Sequence, residues 1–188
     1  TYTTTVSDDY DTNRIIAVWS DSPTLPEIMN HNITVVNGFI SNEESEYVSD
    51  IRVADVAYNT QNICKMIDET VAKGAKVIVF PELCVTGYTC SDLFTQDILL
   101  KKSKEALFKI AEYTKEKDAI IFIGVPLAID GELYNVAAAL NHGEILGLTT
   151  KTFLPNYGEF YEMRQFRPGP DKARWVTLDG KQIPFGPQ

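Results

Sequence analysis

The sequence predicts an α/β fold, a sandwich of helices packed on a sheet. Three observations carry this. Val77–Phe80 and Ala119–Val125 are short apolar runs with the length and β-branched content of buried strands. Ahead of the first run, Val56, Asn59, Ile63, Met66, Ile67 and Val71 recur at helical spacing as a mostly apolar stripe. The resulting order of strand, helix, strand, strand, strand departs from a uniform βαβ repeat and fits a sandwich.

The first 49 residues begin with a Thr-rich tract and hold two weak strand candidates, Arg14–Trp19 and Ile33–Ile40, separated by turn formers over Ser20–Pro26. Ser41–Glu46 reads as an acidic loop. This front segment, 1–49, has no assignable function; its charge and sparse apolar content predict disorder or a peripheral flap. The remaining residues, 50–188, read as one domain. The helical stripe closes at Gly74 after Lys73, and a strand follows over 76–80, stopping at Pro81, which cannot donate to a sheet ladder. Glu82 comes next, then Gly87-Tyr88 and a predicted helix start at Ser91. A second helical region runs from about Asp92 to Lys117, with Leu99, Leu100, Leu107, Ile110 and Ala111 able to face a core and Lys101, Lys102 and Lys104 forming a solvated face. Ala119–Val125, Tyr134–Leu140 and Glu144–Thr150 are strands, joined by turns at Asp130-Gly131 and His142-Gly143. Lys151 ends the last of these. A long segment rich in aromatic and charged residues follows, and loops of this kind usually carry function. Strand-like stretches at Arg174–Leu178 and Gln182–Phe185 flank a hairpin signal at Asp179-Gly180.

Composition narrows the function. The net charge of -9 argues against nucleic acid as a partner, because phosphate binding needs clustered Lys and Arg. Nine acids against one base lie in residues 1–50, leaving 17 acids and 16 bases in the rest, so the main body is nearly neutral. No apolar run approaches the roughly 18 residues of a membrane span, and no basic-then-apolar leader opens the sequence. The three cysteines, Cys64, Cys84 and Cys90, form neither a metal-ligand pattern nor an even disulfide framework, which suits a reducing cytoplasm.

Two charged residues occupy like positions, Glu82 and Lys151, each just past a buried-type strand. Strand ends open onto the clefts of α/β folds. A carboxylate beside an ammonium in a cleft is a sensible acid/base and charge-stabilising pair. It is also what an ordinary salt bridge looks like, and spacing alone does not separate the two.

FPELCVTGYTCSDLF (Phe80–Phe94) and KTFLPNYGEFYEMRQF (Lys151–Phe166) resemble the two characteristic stretches of the nitrilase-superfamily, carbon-nitrogen hydrolase glutaminase domain of glutamine-dependent NAD+ synthetases. Arg52–Asn62, Gly124-Val-Pro-Leu and Leu133-Tyr-Asn-Val-Ala-Ala support the match, which covers Asp50 to about Phe185. The resemblance implies a nitrilase-like αββα sandwich, incomplete here at its C-terminal end. It implies a Glu-Lys-Cys triad in which Glu82 is the general base and Lys151 stabilises the oxyanion. Glu159 then resembles a second glutamate that positions the lysine. Tyr157 resembles a glutamine-contacting tyrosine, with Phe160 and Tyr88 as walls of that pocket; simple core packing is the other reading of these three aromatics.

The sequence departs from the family at two places. The family nucleophile lies in a Cys-Glu-Asp segment on a strand beyond Gln188, and Cys64, Cys84 and Cys90 do not match it. Where the family enters through an apolar strand, Ser41–Ser49 is acidic and polar, so either Ile33–Ile40 supplies that strand or this sheet edge is altered. The expectation is a part of a glutamine amidohydrolase domain that supplies ammonia for NAD+ synthesis, inactive alone for want of the nucleophile. The implied partners are L-glutamine, the remainder of the enzyme and further copies in a homo-oligomer, with no nucleic acid and no membrane. ATP, Mg2+ and deamido-NAD+ belong to a synthetase domain, leaving no cofactor and no metal for this chain. Two alternatives stay open: another nitrilase-type amidase, and a non-catalytic truncated homologue.

Overall fold

The fold was established from a computed structural model that describes residues 33–35, 50–158 and 160–187, with backbone only at 33–35. The strand candidate Arg14–Trp19 and the acidic Ser41–Ser49 lie outside the described residues. Along the chain run β1 (Ile33–Val35), α1 (Val56–Ala72), β2 (Val77–Val79), a 3-10 stretch (Tyr88–Thr95), α2 (Asp97–Tyr113), β3 (Ile120–Ile129), β4 (Glu132–Asn141), β5 (Glu144–Thr150), a 3-10 turn (Glu162–Arg164), β6 (Arg174–Leu178) and β7 (Lys181–Pro187). The strands form one mixed sheet in the order β1-β2-β3-β4-β5-β7-β6. β1, β2 and β3 run parallel, β3-β4-β5 is an antiparallel meander, and β7 lies parallel to β5 with β6 antiparallel at the edge. Ile33–Val35 thus supplies a strand beside β2.

Local chemistry explains the boundaries. Asp55 caps α1 by accepting the Tyr58 N–H at 3.1 Å, and Gly74, at φ +89°, closes its far end by donating to Val71 at 2.9 Å. The hydroxyls of Thr60 and Thr70, both buried, donate back to the carbonyls of Val56 and Met66, so neither is left unsatisfied in the apolar stripe. The hairpin turns Asp130-Gly131, His142-Gly143 and Asp179-Gly180 each place both residues at positive φ, the backbone that tight two-residue hairpins require.

The second helix differs from its expected start. Ser91 takes φ +52° where two 3-10 turns meet, and the α-helix begins only after Gln96. It ends at Tyr113 rather than Lys117, because Thr114 caps it by donating to the Ile110 and Ala111 carbonyls.

Both helices pack on one sheet face, against Ile78, Ile121, Ile123, Val125, Leu140 and Leu148, in a single apolar cluster. The opposite face carries Phe122, Gly124, Ala137, Ala139 and Gly147, mostly small and partly exposed residues. The candidate site stands at the end of this second face. Among the described residues no helix is long and apolar enough to cross a membrane.

Candidate active site

Glu82 leaves β2 through a tight, strained turn. Leu83, fully buried, sits at φ +52°, a conformation that costs a non-glycine residue on the order of 1–2 kcal/mol. Its surroundings hold it there. The Thr86 and Gly87 amides donate back to the Leu83 carbonyl, Val85 donates to Gly124 of β3, and Ala54 donates to Thr86 at 2.7 Å. Asn59, buried in the first turn of α1, ties the same turn to the helix by donating to the carbonyls of Arg52 and Val85.

Gly124 is the floor of this turn. A Cβ there would meet Leu83 N and the Pro81 carbonyl oxygen at 2.4 Å, so the Glu82 backbone lies directly on β3 where only glycine leaves room. Two residues on, Pro126 pairs with Asn135 of β4. Alternation along β3 turns its missing N–H toward the side that β2 has already left, so no ladder bond is lost.

Lys151 follows β5, and its backbone N–H donates to the Asn135 carbonyl at 2.9 Å. Its ammonium lies 2.8 Å from Glu82 Oε1 and 2.8 Å from Glu162 Oε1. Glu82 is part-exposed, with 41% of its side chain accessible, while Glu162 is only 5% exposed. Burial works against the charge on Lys151, but the hydrogen bonds and charges of Glu162 and Glu82 outweigh it and hold the ammonium above the ordinary lysine value. Glu162 Oε1 also accepts the Tyr88 hydroxyl at 2.7 Å, and its Oε2 is buried with no hydrogen-bond partner among the described residues. Burial, then the bond to the Glu162 carboxylate, push the Tyr88 hydroxyl well above the usual phenol range.

The long segment after Lys151 is what brings Glu162 here. It is pinned by Phe166 stacked edge-on against Phe94 at 5.0 Å, by Arg164 on Asp92 at 2.9 Å, and by Gly169 donating to the Lys151 carbonyl. Thr150 Oγ1 would lie 2.2 Å from a Cβ at Gly169, so the returning chain crosses β5 without room for a side chain.

Of the residues singled out in the sequence, Glu82 and Lys151 come together, and Tyr88 reaches them through Glu162. Phe160 stacks edge-on between Tyr88, at 6.5 Å, and Tyr157, at 5.9 Å. Tyr157 is 71% exposed, so core packing does not explain it. Glu159 lies outside the described residues. Glu162 and Asn135 were not singled out; Asn135 is nearly buried and donates its side-chain amide to Glu82 Oε1. The signal for Asn135 was a lone amide in the Ala-rich run of β4. Glu162 carried none beyond its place in the Phe-Tyr-Glu-x-Arg run.

The three thiols are remote in chemistry from a nucleophile. Burial pushes Cys84 up to about 12 and Cys64 up to about 11, and it also raises Cys90. Cys84 donates to the Gly124 carbonyl and Cys90 to that of Thr86. Each behaves as a small apolar residue.

Residues 32–186 match the carbon-nitrogen hydrolase family. The chain belongs to that family. Among relatives of this carbon-nitrogen hydrolase, the glutamine-dependent NAD(+) synthetase of Mycobacterium leprae is 33% identical over 135 residues, and that of Aquifex aeolicus 38% over 133. These alignments take in 72% and 71% of this chain but 20% and 23% of the relatives, so the chain spans about a fifth to a quarter of their length. The crystal structure of a glutamine-dependent NAD(+) synthetase from Cytophaga hutchinsonii superposes with a TM-score of 0.69 at 31% identity, over 73% of this chain and 23% of that one. An amidase from Nesterenkonia sp., at 22% identity and a TM-score of 0.56, shares the fold over 71% of this chain and half of its own. The carbon-nitrogen hydrolase is thus an α/β protein of nitrilase type.

Proposed function

We propose that this carbon-nitrogen hydrolase chain forms the base and oxyanion-binding part of a glutamine amidohydrolase site, within a protein that makes NAD+ from deamido-NAD+. The observation that carries the reading is the 2.8 Å contact between Lys151 Nζ and Glu82 at the ends of two strands. The names of the relatives above support glutamine as the substrate. A thiol from the segment that follows Gln188 completes the triad on this reading. Glu82 takes the thiol proton, and the thiolate attacks the glutamine carboxamide carbon. Lys151, an ammonium at neutral pH, faces the oxygen on which negative charge develops. The proton passes from Glu82 to the leaving nitrogen, and ammonia departs. Glu82 then takes a proton from water, whose oxygen attacks the thioester carbon; the C–S bond breaks, glutamate is released, and the proton returns from Glu82 to the sulfur.

Glu162 and Tyr88 hold Lys151 from the other side. Tyr157 and Phe160 line the approach, and Glu159 stands in the same segment as a further carboxylate for the site. ATP and Mg2+ act in the synthetase portion on this reading, and no step above runs through them. A cytoplasmic homo-oligomer is part of the same proposal, to be read by sedimentation.

The test is glutamate release from glutamine. The complete protein releases it, Glu82→Gln and Lys151→Met abolish it, and the 188-residue chain alone is silent. Release by the chain alone that survives Cys-to-Ala replacement at 64, 84 and 90 overturns the reading.

A further inference from the structure

Asn135 touches both halves of the Glu82–Lys151 pair. Its backbone carbonyl accepts the Lys151 N–H, and its side-chain Nδ2 donates to Glu82 Oε1. The residue is 4% exposed, on a strand whose same-face neighbours Ala137 and Ala139 are small and more open to solvent. Packing on that face is therefore met by methyl groups, and a buried amide is there for what it donates to. The Lys151 ammonium donates to the same oxygen, Oε1. Two donors from two strands thus converge on one carboxylate oxygen, and among the described residues Oε2 accepts no hydrogen bond.

We propose that Asn135 is a positioning residue that, with Lys151, ties down Oε1 of Glu82 and so presents Oε2 as the atom that takes and returns the proton. The assignment rests on the amidohydrolase reading above. The nucleophile's S–H bond breaks and an Oε2–H bond forms. The same proton then moves to the departing nitrogen, which leaves as ammonia and restores the carboxylate. A carboxylate free to rotate about its terminal torsion offers either oxygen at a variable distance. Fixing one oxygen with two donors sets the other at a single distance, and misplacement of a reacting group by about 1 Å costs on the order of 100-fold in rate.

The test compares two replacements in the complete protein. Asn135→Ala removes the donor, and kcat for glutamine falls about 10- to 100-fold while KM stays within roughly threefold. Asn135→Asp keeps the shape but sets a second carboxylate against Glu82, and kcat falls further. A space-filling role gives the reverse order, with the isosteric Asp milder than Ala, and overturns the assignment. So do changes confined to KM. A second readout needs no substrate. With asparagine labelled by 15N, the Asn135 side-chain amide proton lies downfield of ordinary amides and exchanges slowly, and Glu82→Ala moves it upfield. An unmoved signal overturns the contact. An active enzyme whose Asn135 variants keep the parental kcat overturns this assignment alone. No glutamate release by the unmodified protein overturns the amidohydrolase reading, and the role given to Asn135 with it, whatever the amide signal shows.

Discussion

The ammonium of Lys151 is 2.8 Å from Glu82 and 2.8 Å from Glu162, so one cation is shared by two carboxylates of very different exposure. The 5% exposed Glu162 sets the energetics, because a buried carboxylate without its partner is far more costly than a part-exposed one. Lys151→Met is expected to destabilise the protein by about 3 kcal/mol, read as a lower urea midpoint. Adding Glu162→Gln to Lys151→Met recovers much of that loss, because the orphaned charge is gone. Equal and additive losses would place the cost elsewhere.

The same lysine gives a pH window. Its folded-state value is raised above the ordinary one, so the stabilisation is fully present below the unfolded lysine value of 10.5 and is lost as pH rises through the folded value. From neutral pH upward, stability is therefore flat in this respect until strongly alkaline solution, where the difference between the parent and Lys151→Met shrinks. A difference that vanished as pH rose from about 7 to 9 would contradict the assignment.

Gly124 supports Glu82 by leaving no side chain beneath it. Gly124→Ala drives a methyl group into Leu83 N and the Pro81 oxygen, atoms of backbone that cannot swing aside. The turn that carries Glu82 must shift, and overpacking of this kind costs about 1–3 kcal/mol. On the proposed amidohydrolase reading, glutamine turnover by the complete protein falls with it. A crystal structure of the variant with Glu82 in its original place would disprove this account of the glycine.

The buried thiols make a separate prediction. In the folded protein at pH 8, Cys64, Cys84 and Cys90 do not react with a disulfide reagent, and all three react once guanidinium unfolds the chain. Cys84 rises to about 12 from an ordinary 9.0, so its contribution is intact below pH 9 and fades as pH climbs toward 12. Cys84→Ala or Cys84→Ser removes that fade. Fast labelling of Cys84 in the native protein would mean that the thiol is neither buried nor raised.

Much of this was readable from local pattern, and the reason lies in which residues report local structure. The strand bounds Glu144–Thr150 and Arg174–Leu178 and all three hairpin turns follow from alternation and from pairs that tolerate positive φ. That Glu82 and Lys151 each stand just past a buried-type strand was readable; that they meet was not, since β3 and β4 lie between β2 and β5 and the contact forms only once the meander is in place. Glu162 was not readable, since it reaches Lys151 only when the segment after β5 folds back onto Phe94 and Asp92, a tertiary event. The helix expected at Ser91 failed for a related reason. Ser91-Asp92 looks like a cap and first turn, but Gly87 to Thr95 is committed to packing Tyr88, Cys90 and Phe94 inward, and an unbroken α-helix would not place all three.

Tyr88 offers the sharpest separation of a wall from a support. As a pocket wall it acts through its ring, and Tyr88→Phe is then silent. Its hydroxyl instead donates to Glu162 at 2.7 Å, beside the Lys151 ammonium, and a hydrogen bond to a buried charged group contributes about 1.5–3 kcal/mol. Tyr88→Phe is therefore expected to lower the urea midpoint while the ring contact with Phe160 persists. On the proposed glutamine amidohydrolase reading, kcat falls while KM changes little, because the ring keeps its place against Phe160 and the support of Glu162, and through it of Lys151, is lost. Glu162→Gln in the Tyr88→Phe background separates the two effects. If the hydroxyl acts through Glu162, the second replacement adds less than it does in the parent.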